Sequence, residues 1–119
     1  MIKIKRAYET AAPEDGVRVL VDRLWPRGVS KERAAIDWWA KDVAPSADLR
    51  KWFGHEAVKF EEFKERYADE VRGNPDLEKL AEMAETQTVT LVYGAKDQVR
   101  NQAAVLAELL AGRPHTTDS

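Results

Sequence analysis

Apolar and polar residues alternate from the start of the chain, with Ile2 and Ile4 set against Lys3 and Lys5. A period of two predicts a short strand with one buried face, near a sheet edge. The stretch 11–16, with Pro13, Asp15 and Gly16, reads as a turn-rich loop. Val17–Val21 (VRVLV) is apolar on both faces from position 19 onward, which predicts a central strand covered on both sides. Thr88–Tyr93 (TVTLVY) is rich in β-branched residues and predicts a second central strand.

Elsewhere the period becomes helical. Ser30–Ala35 predicts a short helix with Ser30 as its N-cap. Ser46 caps a second helix, whose apolar face is Leu49, Trp52 and Phe53 and whose stop is Gly54. Between Glu56 and Arg72, Phe60, Phe63, Tyr67 and Val71 recur at spacings of three, four and four, an amphipathic stripe. Asn74 caps the next helix, with Pro75 at its first position and Leu77, Leu80, Ala81 and Ala84 on its face. After a turn at 94–97, Asp97 or a neighbour caps a last helix carrying Ala103, Val105, Leu106, Leu109 and Leu110, ended by Gly112 and Pro114. The order strand, helices, strand, helix predicts a small single α/β domain over 1–111. It has a short, mostly parallel sheet of three strands with helices packed around it. Residues 112–119 are expected to form a disordered tail.

Composition narrows the class. A chain of 119 residues fits one domain and can bury roughly two-thirds of its unfolded surface. The formal net charge of -2 gives no global pull toward nucleic acid or an anionic membrane, so any basic site is local. The absence of cysteine excludes disulfides, thiol catalysis and Cys-ligated zinc. No apolar run has the length of a membrane span or a signal peptide, and a soluble cytoplasmic protein is expected.

The chemistry is expected in and around 17–31 (VRVLVDRLWPRGVSK), a buried strand that ends in clustered charge. Ligands of open α/β sheets bind outside the carboxyl ends of the strands. The first central strand delivers Asp22, Arg23, Arg27 and Lys31 there, and the second delivers Tyr93, Lys96, Asp97, Arg100 and Asn101. If the two strands are parallel neighbours, these sets converge. Guanidinium and ammonium groups beside a helix N-terminus then make a site for a phosphate, a nucleotide or a carboxylate. Asp22 would serve as a general base or orient an arginine. An Asp–Arg pair at a strand end is as readily an internal salt bridge that fixes a loop. Lys96 and Asp97 also read as a turn and a cap.

His55, the histidine inside the fold, is a second candidate for acid–base work, or a surface group at a helix C-terminus. Trp25 reads as core cover or as a stacking platform, and Pro26 as a trans proline that stiffens the turn or as a cis one. A dedicated transition-metal site is not expected, a magnesium site built from carboxylates stays open, and no phosphate-loop or dinucleotide fingerprint is present. The sequence names no cofactor.

Several blocks together resemble the YeaO-like family of small bacterial proteins. They are Leu20–Gly28 (LVDRLWPRG), Trp39, Ala44-Pro45-Ser46, Leu49–Phe53 (LRKWF), and Val89-Thr90-Leu91 with Tyr93 and Asn101. The resemblance spans about residues 2–111. It implies a compact α/β domain of bacterial cytoplasmic origin, within a larger group labelled a domain of unknown function, and it brings no catalytic residues. The chain departs from the pattern at Phe60, where tryptophan is common, and at Val99-Arg100, where more acidic or histidine-containing sequence is usual. Two functional readings follow. One is binding or turnover of a small anionic ligand at loops 22–31 and 93–101. The other is a non-catalytic module for protein interaction or homodimerisation, whose special loop is structural.

Overall fold

The computed structural model describes residues 1–112; the expected tail beyond Gly112 lies outside the described residues. Four parallel strands form one sheet: β1 (Ile2–Arg6), β2 (Val17–Leu20), β3 (Trp38–Trp39) and β4 (Val89–Tyr93), in the spatial order β1-β4-β2-β3. The three expected strands are present, β1 lies at an edge, and β2 and β4 are central neighbours with Val19 opposite Leu91. The strand not foreseen is β3. Two residues are too short for a periodicity to register, and the pairing of Trp38 with Val19 and of Trp39 with Leu20 defines it instead.

Alternation sorts the strand side chains onto two unlike faces. Ile2, Ile4, Val17, Val19, Val21, Trp38, Val89, Leu91 and Tyr93 join one large core. Against that face pack α2 (Ala47–Phe53), α3 (Phe60–Glu70), α4 (Pro75–Thr86) and α5 (Gln102–Ala111), through Leu49, Phe53, Phe63, Tyr67, Leu77, Leu80 and Leu106. Leu20 and Val92 point the other way. They are covered by Trp25, Val29, Ile36 and Trp39, from the segment that also contains the one-turn helix α1 (Lys31–Ala34). Trp25 and Trp39 meet edge to face with ring centroids 5.4 Å apart, a favourable aromatic geometry. Trp25 is thus core cover, and its peptide bond to Pro26 is trans.

The helix boundaries follow the capping chemistry. Ser30 accepts a hydrogen bond from the Arg33 amide, Ser46 from Leu49, and Asn74 from Asp76 and Leu77. Gly54, at φ 53°, closes α2 in the left-handed conformation. The last helix is capped by Asn101, whose side chain accepts from Ala104, while Asp97 accepts from the amides of Val99 and Arg100 in a turn before it. The N-terminal end of β2 is fixed by a buried ion network. Asp15 holds Arg18 at 2.7 Å and Lys5 at 3.1 Å and accepts from the amide of Ala12. Gly16 is obligatory beside it, because a Cβ there would stand 2.3 Å from the Thr88 carbonyl oxygen.

Candidate functional site

Parallel pairing of β2 with β4 carries both strands to the same end of the sheet. The amide of Val21 still bonds the Val92 carbonyl, and Asp22 stands immediately beyond. One carboxylate oxygen of Asp22 accepts from the amide of Gly94, at 2.8 Å, and the other accepts from the side-chain amide of Gln102 at the start of α5. The two strand-end loops are therefore joined through Asp22. Its backbone carbonyl also accepts from the indole of Trp39 at 2.8 Å. A Cβ at position 94 would lie 3.0 Å from the Asp22 oxygen, so glycine allows this close approach.

Asp22 forms part of the lining of a cavity of about 260 Å³. Its polar lining includes Arg23 from the β2 loop, Arg50 from α2, His55 just beyond α2, and Gln102 from α5. Its apolar wall includes Leu24, Ala44, Pro45, Phe53 and Phe63. Arg50 precedes Phe53 by three positions, so one face of α2 supplies both a guanidinium and an aromatic wall. Arg23 makes one long contact, 3.5 Å, to the Pro45 carbonyl. His55 has a left-handed backbone, φ 60°, uncommon for a residue other than glycine, and its ring lies 5.8 Å from that of Phe53.

No carboxylate lies within 4.0 Å of the Arg23 or Arg50 guanidinium among the described residues, and Asp22 has no cation within that distance. Burial pushes the Asp22 carboxyl up to about 6. Hydrogen bonds from Gly94 and Gln102 and the more distant charges of Arg50 and His55 pull against that burial without overcoming it. A carboxyl poised near 6 exchanges its proton close to neutrality.

The other sequence candidates stand elsewhere. Arg27 and Lys31, exposed like Arg23, Arg50 and His55, differ from them in not lining the cavity; the Arg27 carbonyl accepts from the hydroxyl of Tyr8. Tyr93 shares the core face with Val89 and Leu91 and is 2% exposed. Its hydroxyl is pushed up by burial. Asn101 is spent on capping α5, and Lys96 is exposed. Asp22, Arg23 and His55 are brought together. Arg50, Gln102 and the apolar wall join them without having been singled out from sequence as site residues. Among the described residues no group of three or more histidine or acidic side chains is placed to hold a metal ion.

The family model described as "Inactive DUF488-N3 subclade" matches residues 1–119. The uncharacterized protein YeaO of Escherichia coli (strain K12) is 44% identical over 110 residues, covering 92% of this chain and 96% of that protein. The uncharacterized protein Rv3073c of Mycobacterium tuberculosis (strain H37Rv) is 43% identical over 112 residues, 94% of this chain and 95% of that one. No solved structure gives a significant match. Among the described residues no helix is long and apolar enough to cross a membrane.

Proposed function

The chain belongs to the inactive DUF488-N3 subclade and is YeaO-like, and from that premise we propose that it binds a small anionic molecule in the cavity at the carboxyl ends of β2 and β4. The observation that carries this reading is the pair Arg23 and Arg50. Two guanidiniums line one cavity, neither has a carboxylate within 4.0 Å among the described residues, and His55 adds a third basic group. Guanidinium groups bind carboxylate and phosphate oxygens through paired hydrogen bonds. The size supports a small ligand, since about 260 Å³ lies just below the roughly 300–1,000 Å³ of sites for drug-sized molecules.

The subclade's description as inactive supports binding without turnover. In this reading Asp22 positions: it ties the β2 loop, which carries Arg23, to Gly94 and Gln102. Thermal unfolding in the presence of phosphate, sulfate, acetate and small carboxylates tests the reading. A ligand at 100 times its dissociation constant adds about 2.7 kcal/mol, a rise of roughly 8–13 °C in a domain of this size. Arg50→Ala is expected to abolish the rise while the protein stays folded. No rise with any anion in the wild type overturns the proposal.

A further inference from the structure

The cavity holds both signs of charge, and they do not neutralise each other. Arg50 and Asp22 sense one another electrostatically yet stand more than 4.0 Å apart, and the hydrogen bonds that Asp22 accepts come from neutral amides. A largely buried carboxylate without a cation has lost water and gained only partial compensation. A pure anion would bring its charge into the same small cavity as that carboxylate. A molecule with a cationic end as well meets both groups and fills the gap between them. Phe53, Phe63, Leu24, Ala44 and Pro45 line the same cavity and leave apolar surface for an uncharged remainder.

We propose that the ligand of this cavity is a zwitterion, a free amino acid with an apolar side chain. Its ammonium sits on Asp22, its carboxylate on Arg50 and Arg23, and its side chain against Phe53 and Phe63. The proposal rests on the anion-binding reading and narrows it. Each end of the molecule has a defined task. The carboxylate occupies the guanidiniums, which alone would accept any small anion. The ammonium supplies the cation that Asp22 lacks and gives the selectivity. A charged donor on a carboxylate makes a stronger hydrogen bond than the neutral amides already there. The volume of about 260 Å³ accommodates a molecule the size of leucine or phenylalanine and not a dinucleotide.

The test compares three matched series by calorimetric titration of the full chain. The amino acids are L-leucine and L-phenylalanine. Their partners lacking the amine are 4-methylpentanoate and 3-phenylpropionate, and their partners lacking the carboxylate are 3-methylbutylamine and 2-phenylethylamine. The wild type is expected to bind at least one amino acid about tenfold or more tighter than either of its partners, as one charge-assisted contact supplies. Asp22→Asn is expected to remove the preference over the carboxylate partner while leaving that partner's own affinity the same or higher. If the carboxylate partner binds the wild type as tightly as the amino acid, the zwitterion proposal falls and anion binding stands. If the amine binds as tightly as the amino acid, the arginines are not used and the zwitterion proposal falls. If no member of any series binds, the zwitterion proposal falls, and the phosphate and sulfate titrations decide the anion reading separately. Should Asp22→Asn fail to fold, the ratio of affinities in the wild type still decides.

Discussion

Two carboxylates bracket β2, and their surroundings differ in kind. Asp15, at the N-terminal end, is 5% exposed and is held by two cations, Arg18 and Lys5, as well as by the Ala12 amide. Burial pushes its carboxyl up, but the Ala12 amide, Lys5 and Arg18 together hold it below the usual range. Asp22, at the C-terminal end, has Gly94 and Gln102, neutral donors, and burial leaves it raised to about 6. One end of the strand spends its charges inside the protein. The other has a carboxylate and two guanidiniums around a cavity, with no ion pair within 4.0 Å among the described residues. In parallel α/β sheets the carboxyl ends of the strands are where ligands bind, and here the two ends of a single strand differ in whether their charges are paired.

The sharpest way to break this comparison is at Asp15. Its removal leaves the Arg18 guanidinium, whose side chain is 4% exposed, buried without a carboxylate; one of its nitrogens, Nη2, already lacks a partner among the described residues. Breaking a buried pair on one side costs about 3–5 kcal/mol. Asp15→Asn should therefore lower Tm by roughly 10–20 °C. A loss under about 1 kcal/mol in denaturant unfolding would mean that the network is no tighter than a surface ion pair.

The second prediction concerns pH and runs in opposite senses at the two ends. The folded chain holds the Asp22 proton more tightly than an unfolded chain does, since about 6 lies above the ordinary 3.8. Its contribution to stability is thus greatest below pH 4, declines as pH rises to about 6, and is flat above. Asp22→Asn should match the wild type near pH 4 and exceed it at pH 7.5 by about 1–2 kcal/mol, allowing for solvent at a partly exposed group. Asp15, held below its ordinary range, contributes stability above 3.8 that is lost on acidification. Stability curves of the two Asn variants between pH 2 and 8 read both signs, that of Asp15 below pH 3.8 and that of Asp22 between about 4 and 6. A pH-independent difference between Asp22→Asn and the wild type would remove the contrast.

Much of this arrangement is legible in the chain. Val19–Val21 and Leu91–Val92 are apolar on both faces, which marks two central strands; their parallel pairing, which brings Asp22 and Gly94 together, is a condition the sequence poses and the sheet meets. The caps Ser30, Ser46 and Asn74 are legible because capping is local chemistry. Tyr93 could have been assigned to the core from alternation alone, since it follows Val89 and Leu91 at a period of two. Arg50 is less accessible. Its place beside Asp22 in the cavity lining depends on the tertiary placement of α2, although its position three residues before Phe53 marks it as lying at the edge of the apolar face. Arg27 and Lys31 share a short segment with Asp22, but nearness in sequence does not survive the turn at Trp25, whose indole bonds the Val29 carbonyl at 2.6 Å. Trp38–Trp39 is a strand by virtue of its partner, and nothing within two residues announces that.

The finest probe of the comparison is Gln102. Its side-chain amide, with the Gly94 amide, gives Asp22 the hydrogen bonds that partly offset burial. Gln102→Leu keeps the bulk and removes one of the two. The Asp22 carboxyl should then titrate above about 6, followed through its own carbon resonance, because less remains to favour the charged form. The stability loss at pH 7 should be about 1 kcal/mol, the ordinary net worth of one such bond. The matching change at the other end, Lys5→Met, takes a cation from Asp15 but leaves Arg18 at 2.7 Å and the Ala12 amide. Asp15 should therefore rise toward its ordinary range without becoming a group that titrates near neutrality. If Gln102→Leu leaves the Asp22 titration in place, the neutral amide is not what holds the charge. The Arg50 and His55 charges would then be closer partners of Asp22 than the hydrogen bonds indicate, and the two ends of β2 would differ in degree and not in kind.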